Sequence, residues 1–378
     1  MTKATISTIR NVGLDLLRTR GRGLKHAFAR RSASPVIVFD SDDWGSQRVP
    51  SPTALASLVE NGILTGQGDY DRDTLETAAD LSSLMEVLAQ AKGSDGRPAV
   101  FSCYCNPANP DFAAIRANGF ERYEWKGLSA TLQERGDAAE VLGSWREGRT
   151  AGLLSPQYHG REHLQVNMWM AALRSSPRAQ QAFNQGLYSV PLSDVPLPAR
   201  GFRAANFFTN ASELGELAAN IRSGAQQFYE EFGIWPKIYC PTNNIFHPAL
   251  YPAVRDAGCV AIIRHVRNVE PNGRGGVRSV WGTRGVAEAG LQSFGRNTVF
   301  EPTQRLGVDH ALAGIASAFA WGVPAVVSTH RANYVGGIDP AIRDQGLRAL
   351  RILLKEICQR WPAARFVPST ALLSGDPA

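Results

Sequence analysis

The stretch VIVFDSDDWG, residues 36–45, runs an apolar segment straight into three carboxylates, Asp40, Asp42 and Asp43. A short continuous apolar run rich in β-branched residues reads as a strand buried on both faces, as in parallel sheets. Carboxylates crowded this closely raise one another's pKa and cost stability. A bound dication offsets that repulsion. The same ten residues therefore predict a buried strand and a charged site at its carboxyl end.

Working outward, strand-like and helix-like segments alternate. PAVFSCYC (98–105), PKIYCPTNN (236–244), VAIIRHV (260–266), PAVVSTHR (324–331) and ARFVPS (364–369) read as strands. LASLVENGI (55–63), LSSLMEVLAQAK (81–92), a stretch near 129–147, ASELGELAANIRSGAQQFYEEFG (211–233) and IRDQGLRALRILLKEICQRW (342–361) read as helices. Such alternation implies βα units and a mostly parallel α/β sheet. No GxGxxG or GxxxxGK[ST] follows a strand, which favours a barrel over a nucleotide-binding sheet. One catalytic domain over 35–378 is expected, with its chemistry at the carboxyl ends of strands.

The formal net charge of +6 is unevenly placed. Residues 1–34 hold eight Lys and Arg against Asp15 alone, so the remainder of the chain is slightly acidic. A solvated helix packed on the domain is the simpler reading of this arm. Leu14, Leu16, Leu17, Leu24 and Phe28 also give it an apolar face, which suits peripheral contact with an anionic membrane. No nucleic-acid motif accompanies it, so nucleic acid is not expected as a partner. The N-terminus lacks the apolar core of a secretory signal and no run reaches membrane-span length, so the expected compartment is the cytoplasm. The five cysteines show no CxxC spacing and read as reduced thiols.

Polar groups cluster where the strands end. After Asp40, Asp42 and Asp43 come His159 and His163, then Pro241, Thr242 and Asn243, then His330, Arg331 and Asn333. HGREH places two imidazoles four residues apart, a spacing that on a helix turns both toward one metal. One carboxylate beside them completes a His2Asp site with open positions for water and substrate. Zinc suits that donor set, with cobalt, nickel and manganese as further candidates. HGREH also fits the inverted zinc-peptidase signature H-x-x-E-H, with Glu162 as base, which requires a continuous helix.

With these residues in order, the sequence resembles the polysaccharide deacetylase superfamily, also called the NodB-homology or carbohydrate esterase family 4 fold. Its motifs correspond to Ser41-Asp42-Asp43, to His159 through His163, to Tyr239-Cys240-Pro241-Thr242 and to Ser328-Thr329-His330, over about residues 35–370. The resemblance implies a distorted (β/α)7-type barrel that removes acetyl groups, N-linked or O-linked, from a carbohydrate or polysaccharide precursor. It implies Asp42 as catalytic base, Asp43, His159 and His163 as metal ligands, and His330 as general acid. Asp40 is a candidate carboxylate for the charged form of His330.

The family commonly has an arginine where Tyr239 stands, to orient the base. Arg296 and Arg331 are the candidates to replace it. Asp40, Trp44, Pro241, Thr242, Asn243, Arg296, Glu301, Arg331 and Asn333 are expected around the substrate. Trp44, Trp281 and Tyr334 are candidates for stacking on a sugar ring. A barrel that holds metal and glycan without turnover is the alternative from a different class, although retention of both Asp42 and His330 argues against it.

Overall fold

The computed structural model describes residues 26, 29, 31–68, 70–190, 201–282 and 289–373. The basic arm, 1–34, lies almost wholly outside the described residues. The strands are β1 (Val36–Trp44), β2 (Phe101–Cys105), β3 (Ala108–Pro110), β4 (Trp125–Gly127), β5 (Leu154–Tyr158), β6 (Ile238–Tyr239) and β7 (Ala261–Ile263). They continue with β8 (Arg267–Pro271), β9 (Val277–Trp281), β10 (Gln292–Phe294), β11 (Thr298–Val299), β12 (Ala325–His330) and β13 (Arg365–Phe366).

Nine of these strands form one sheet in the order β10-β7-β6-β5-β2-β1-β12-β11, with β13 added to β1. All its pairings are parallel. Every residue of β1 is buried, as its apolar run requires. The edge strands β10 and β11 are joined by residues 295–297 alone. Four residue steps span at most about 14 Å. Flat spacing would put the edges of an eight-strand path roughly 34 Å apart. The sheet must therefore curl until its edges nearly meet, and Arg296 stands in the seam. This is the expected distorted α/β barrel, with nine short strands where about seven were foreseen. Antiparallel hairpins β3–β4 and β8–β9 are appended.

Helices cover the outside of the sheet. Ala78–Gln90 begins with a capping box between Thr77 and Asp80 and buries Leu81, Leu84 and Leu88. Pro340–Arg360 buries Leu347, Leu350, Leu353, Leu354 and Ile357. Each such side chain contributes about 1.5–3 kcal/mol. The helix expected near 129–147 is two, Leu128–Arg135 and Ala138–Thr150, because Gly136 takes φ 93° between them. That left-handed geometry ends a helix cleanly. All five cysteines are free thiols. Among the described residues no helix is long and apolar enough to cross a membrane.

Sheet register sets the level of the site. Asp40 pairs with Ser328 and Asp42 with His330 across β1 and β12. Tyr158 pairs with both Cys105 and Tyr239, so His159 and Cys240 each lie one residue past a common row.

Candidate active site and metal centre

Three carboxylates share one strand end because each has a different set of partners. Asp40 and Asp42, two apart on β1, both face Arg296. The guanidinium grips Asp42 with Nη1 to Oδ2 and Nη2 to Oδ1, both 2.5 Å, and donates Nε to Asp40 at 3.2 Å. The Arg296 guanidinium also lies 5.1 Å from the Tyr104 ring centre. Burial pushes Asp40 up to about 6 despite Arg296 and the Ser369 hydroxyl, which donates to it. Burial acts on Asp42 in the same sense, but Arg296 outweighs it and holds that carboxyl below the usual range. Asp42 is thus an ionised acceptor with a fixed orientation.

Asp43 leaves the strand. Its φ of 75° is left-handed, and the β1–β2 register shifts between Ser41 and Trp44. Asp is among the few residues that accept this geometry readily. Two residues on, Gly45 also has positive φ, and a Cβ there would come 2.4 Å from the Asn106 carbonyl oxygen. This turn carries the Asp43 carboxylate toward the histidines of the β5 end. Its Oδ1 lies 3.3 Å from His163 Nε2 and 3.6 Å from His159 Nε2. Burial opposes the charge on Asp43, but Arg48 and His163 outweigh it and hold the carboxyl well below the usual range.

The three donors of Asp43, His159 and His163 lie within 4.8 Å of one another, all on buried residues. Donors about 2.0–2.2 Å from one ion at its usual angles are separated by roughly 3–3.6 Å, so the observed spacings suit a dication. Asp43 Oδ1 is buried and makes no hydrogen bond among the described residues. A metal would satisfy that orphan acceptor. The His159 Nδ1–H donates to the Cys240 carbonyl at 2.8 Å, which turns Nε2 toward Asp43 as the ligand atom. Burial outweighs Asp43 and pushes the His163 pKa well down, toward the neutral form a ligand needs. Cys240 and Asp42 instead outweigh burial and push His159 well up, so an ion bound there would displace a proton.

No helix joins the two histidines: residues 161–164 are bends, and Gly160 before them takes φ 93°. The peptidase reading fails on the same geometry. Glu162 is buried and gripped by Arg161 at 2.6 and 3.0 Å, so it is no free base.

On the other side of Asp42, His330 Nδ1 meets Glu301 Oε1 at 2.6 Å, and Nε2 stands 4.0 Å from Asp42 Oδ2. Burial works against charge on this imidazole, but Glu301 prevails and lifts its pKa to about 9. Asp40, the candidate carboxylate for this pairing, is two residues deeper on β1 and is taken by Ser369 and Arg296. Glu301 is in turn held by Asn333 at 2.6 Å, and Asn333 Oδ1 accepts from the Thr303 hydroxyl at 2.7 Å. The His330–Glu301 pair has a folded pKa above the ordinary value of about 6.5. Its stability contribution should be full below about 6.5 and lost as pH rises through about 9. Denaturant midpoints from pH 6 to 10 should show this slope for the native chain and a flatter one for Glu301→Gln. Equal slopes would contradict the pairing.

Asp42, Asp43, His159, His163, His330, Arg296, Pro241 and Asn243 line one cavity of about 710 Å³. Several candidate residues lie elsewhere. Trp44 is fully buried, edge-on to Trp145 at 5.6 Å. Thr242 is fully buried, its hydroxyl accepting from the Ala205 N–H at 2.9 Å. Arg331 and Asn333 are buried beneath the site, and Tyr334 bonds Thr329 in the core. Trp281 is 79% exposed on β9, outside the cavity lining. Tyr239 turns its hydroxyl to Asn206, and of the two candidate arginines Arg296 meets Asp42 while Arg331 meets Asp73 and Glu76. The cavity also takes in Arg48, Tyr70, Phe202 and Arg203, which no motif marks. Tyr70 meets the His330 ring edge-on at 5.8 Å.

No family model matches the chain, and no curated protein does. Solved structures similar to it include a 4-alpha-glucanotransferase from Thermococcus litoralis, at 9% identity and TM-score 0.42. That match covers 90% of this chain, which spans 40% of the other. A carbohydrate esterase family 4 pseudoenzyme from Bacillus anthracis is 8% identical over 91% of this chain and 67% of its own, with TM-score 0.38. A family 4 acetyl xylan esterase from Clostridium thermocellum, in complex with a cobalt ion, is 11% identical over 90% and 94%, with TM-score 0.37. The chain is thus similar to family 4 structures of both kinds, esterase and pseudoenzyme.

Proposed function

We propose that this chain is a metal-dependent hydrolase that removes an acetyl group, N-linked or O-linked, from a carbohydrate. One observation carries the reading: a two-histidine, one-carboxylate donor set lies between an arginine-clamped Asp42 and a glutamate-paired His330, in one cavity. A divalent ion bound by Asp43, His159 and His163, with zinc the best match to the donors, supplies Lewis-acid polarisation and a more acidic water. Asp42 accepts the proton of the attacking water at a carboxylate oxygen, while Arg296 keeps it ionised and aimed. His330 holds a proton at Nε2 for the departing nitrogen or oxygen, and Glu301 maintains that charge through Nδ1.

Metal analysis coupled to acetate release from N-acetylated and O-acetylated sugars tests the reading. The purified chain should hold about one divalent ion and release acetate only when loaded. His159→Ala and His163→Ala should each weaken metal binding by at least about tenfold. A double variant that stays fully loaded would refute the site.

A further inference from the structure

The cavity has a cationic wall with donors that the hydrolysis does not use. Arg48 is only 5% exposed, and its guanidinium lines the cavity beside Asp43. Its Nη2 lies 3.4 Å from Asp43 Oδ2 and its Nε 3.4 Å from Asp73 Oδ2. These are ion pairs at long range, and Arg48 Nε and Nη1 make no hydrogen bond among the described residues. A buried guanidinium with unmade donors is costly.

A second arginine faces the same space. Arg203 lines the cavity with its guanidinium 5.4 Å from the Tyr70 ring centre. Burial, and then the charge of Arg48, push its pKa down, as expected of two cations sharing one wall. Arg48 supports Asp43 through Nη2 alone, and Arg203 touches none of the groups assigned to the hydrolysis. Arg296 already serves Asp42, and His163 already stands against Asp43. Two neighbouring guanidiniums with spare N–H groups form a fork that matches an oxyanion.

We propose that Arg48 and Arg203 form an anion subsite beside the metal centre, so that the preferred sugar carries a carboxylate or phosphate near the acyl group removed. The inference rests on the deacylase reading and narrows its substrate class. An anion there satisfies the open donors of Arg48 and relieves the repulsion between the two arginines. Arg203 is the residue to probe, because Arg48 also touches Asp43 and its loss would disturb metal binding.

Acetate release by the metal-loaded chain is measured on N-acetylglucosamine, N-acetylglucosamine 1-phosphate, N-acetylglucosamine 6-phosphate and N-acetylmuramic acid. At least one anionic sugar should exceed the neutral one in kcat/KM by about tenfold or more, the phosphates and the carboxylate distinguishing the two anion types. Arg203→Gln should collapse that ratio by a similar factor, and Arg203→Lys should restore part of it. A ratio untouched by Arg203→Gln, or a preference for the neutral sugar, overturns the subsite. Calorimetric titration with inorganic phosphate decides the case without turnover. Arg203→Gln should weaken phosphate binding by about tenfold at unchanged metal content, and equal binding by both proteins overturns the proposal. Absence of acetate from every sugar, with this phosphate difference intact, would instead count against the deacylase reading alone.

Discussion

Asp42→Asn should retain bound metal and lose turnover by about 10²–10⁴-fold, the range expected for removal of a general base. The geometry makes the separation sharp. Asp42, His159 and Cys240 also lie close enough to share an ion, but Arg296 grips Asp42 through both oxygens, whereas Asp43 turns away from the strand toward the two imidazoles with Oδ1 unpaired. An asparagine fills the same volume but accepts no proton at neutral pH. Arg296 keeps Asp40 as an ionic partner, so the variant should fold. Asp43→Asn should give the converse result, weak metal binding with activity recoverable at high metal concentration. Metal content and kcat measured side by side test the assignment. If Asp42→Asn empties the site while Asp43→Asn leaves it full, the roles of the two aspartates are exchanged.

The same strand end shows how far sequence reasoning reaches. A run of buried apolar residues closing on aspartates marks a strand and a site together, and the later His-bearing strand ends fall into register with it. What local pattern does not show is which partner crosses the barrel. Arg296 meets Asp42 from 254 positions away, because the curled sheet brings its seam over β1. Glu301 takes His330 for the same reason, since β11 pairs with β12 and delivers the residues after it to that strand's end. Backbone direction is equally hidden. The left-handed turn at Asp43 and the bend at Gly160 decide that Trp44 points into the core and that the two histidines converge without a helix. Arg48 and Arg203 sit in loops with no periodicity, so nothing in the one-dimensional pattern singles them out.

Arg331 shows the largest distance between reading and placement, and its loss should be the most destabilising single change. The side chain is fully buried. It donates to Asp73 at 3.0, 3.1 and 3.2 Å, to Glu76 at 3.0 Å and to the Ser46 carbonyl at 2.8 Å. Removing one partner of a buried ionic cluster costs about 3–5 kcal/mol, because the remaining charges stay desolvated. Among the described residues, Arg331→Ala leaves the Asp73 side chain with only the long contact to Arg48, and Glu76 with the Gly45 N–H and the Trp145 indole. The midpoint of thermal unfolding should fall by about 5–10 °C. Burial already pushes Asp73 up against the pull of Arg331, so without that arginine Asp73 would favour its protonated form in the folded state. Its folded pKa would exceed the unfolded one, so the deficit should be largest at neutral pH and shrink as pH falls through that value. Urea unfolding of Arg331→Ala and the parent chain at pH 5 and pH 8 measures both the loss and its sign. A stable variant with a raised KM would instead return Arg331 to the substrate site. The effect should also reach the metal, since Asp73 faces Arg48, Arg48 faces Asp43, and Glu76 anchors the turn at Gly45 that aims the Asp43 carboxylate.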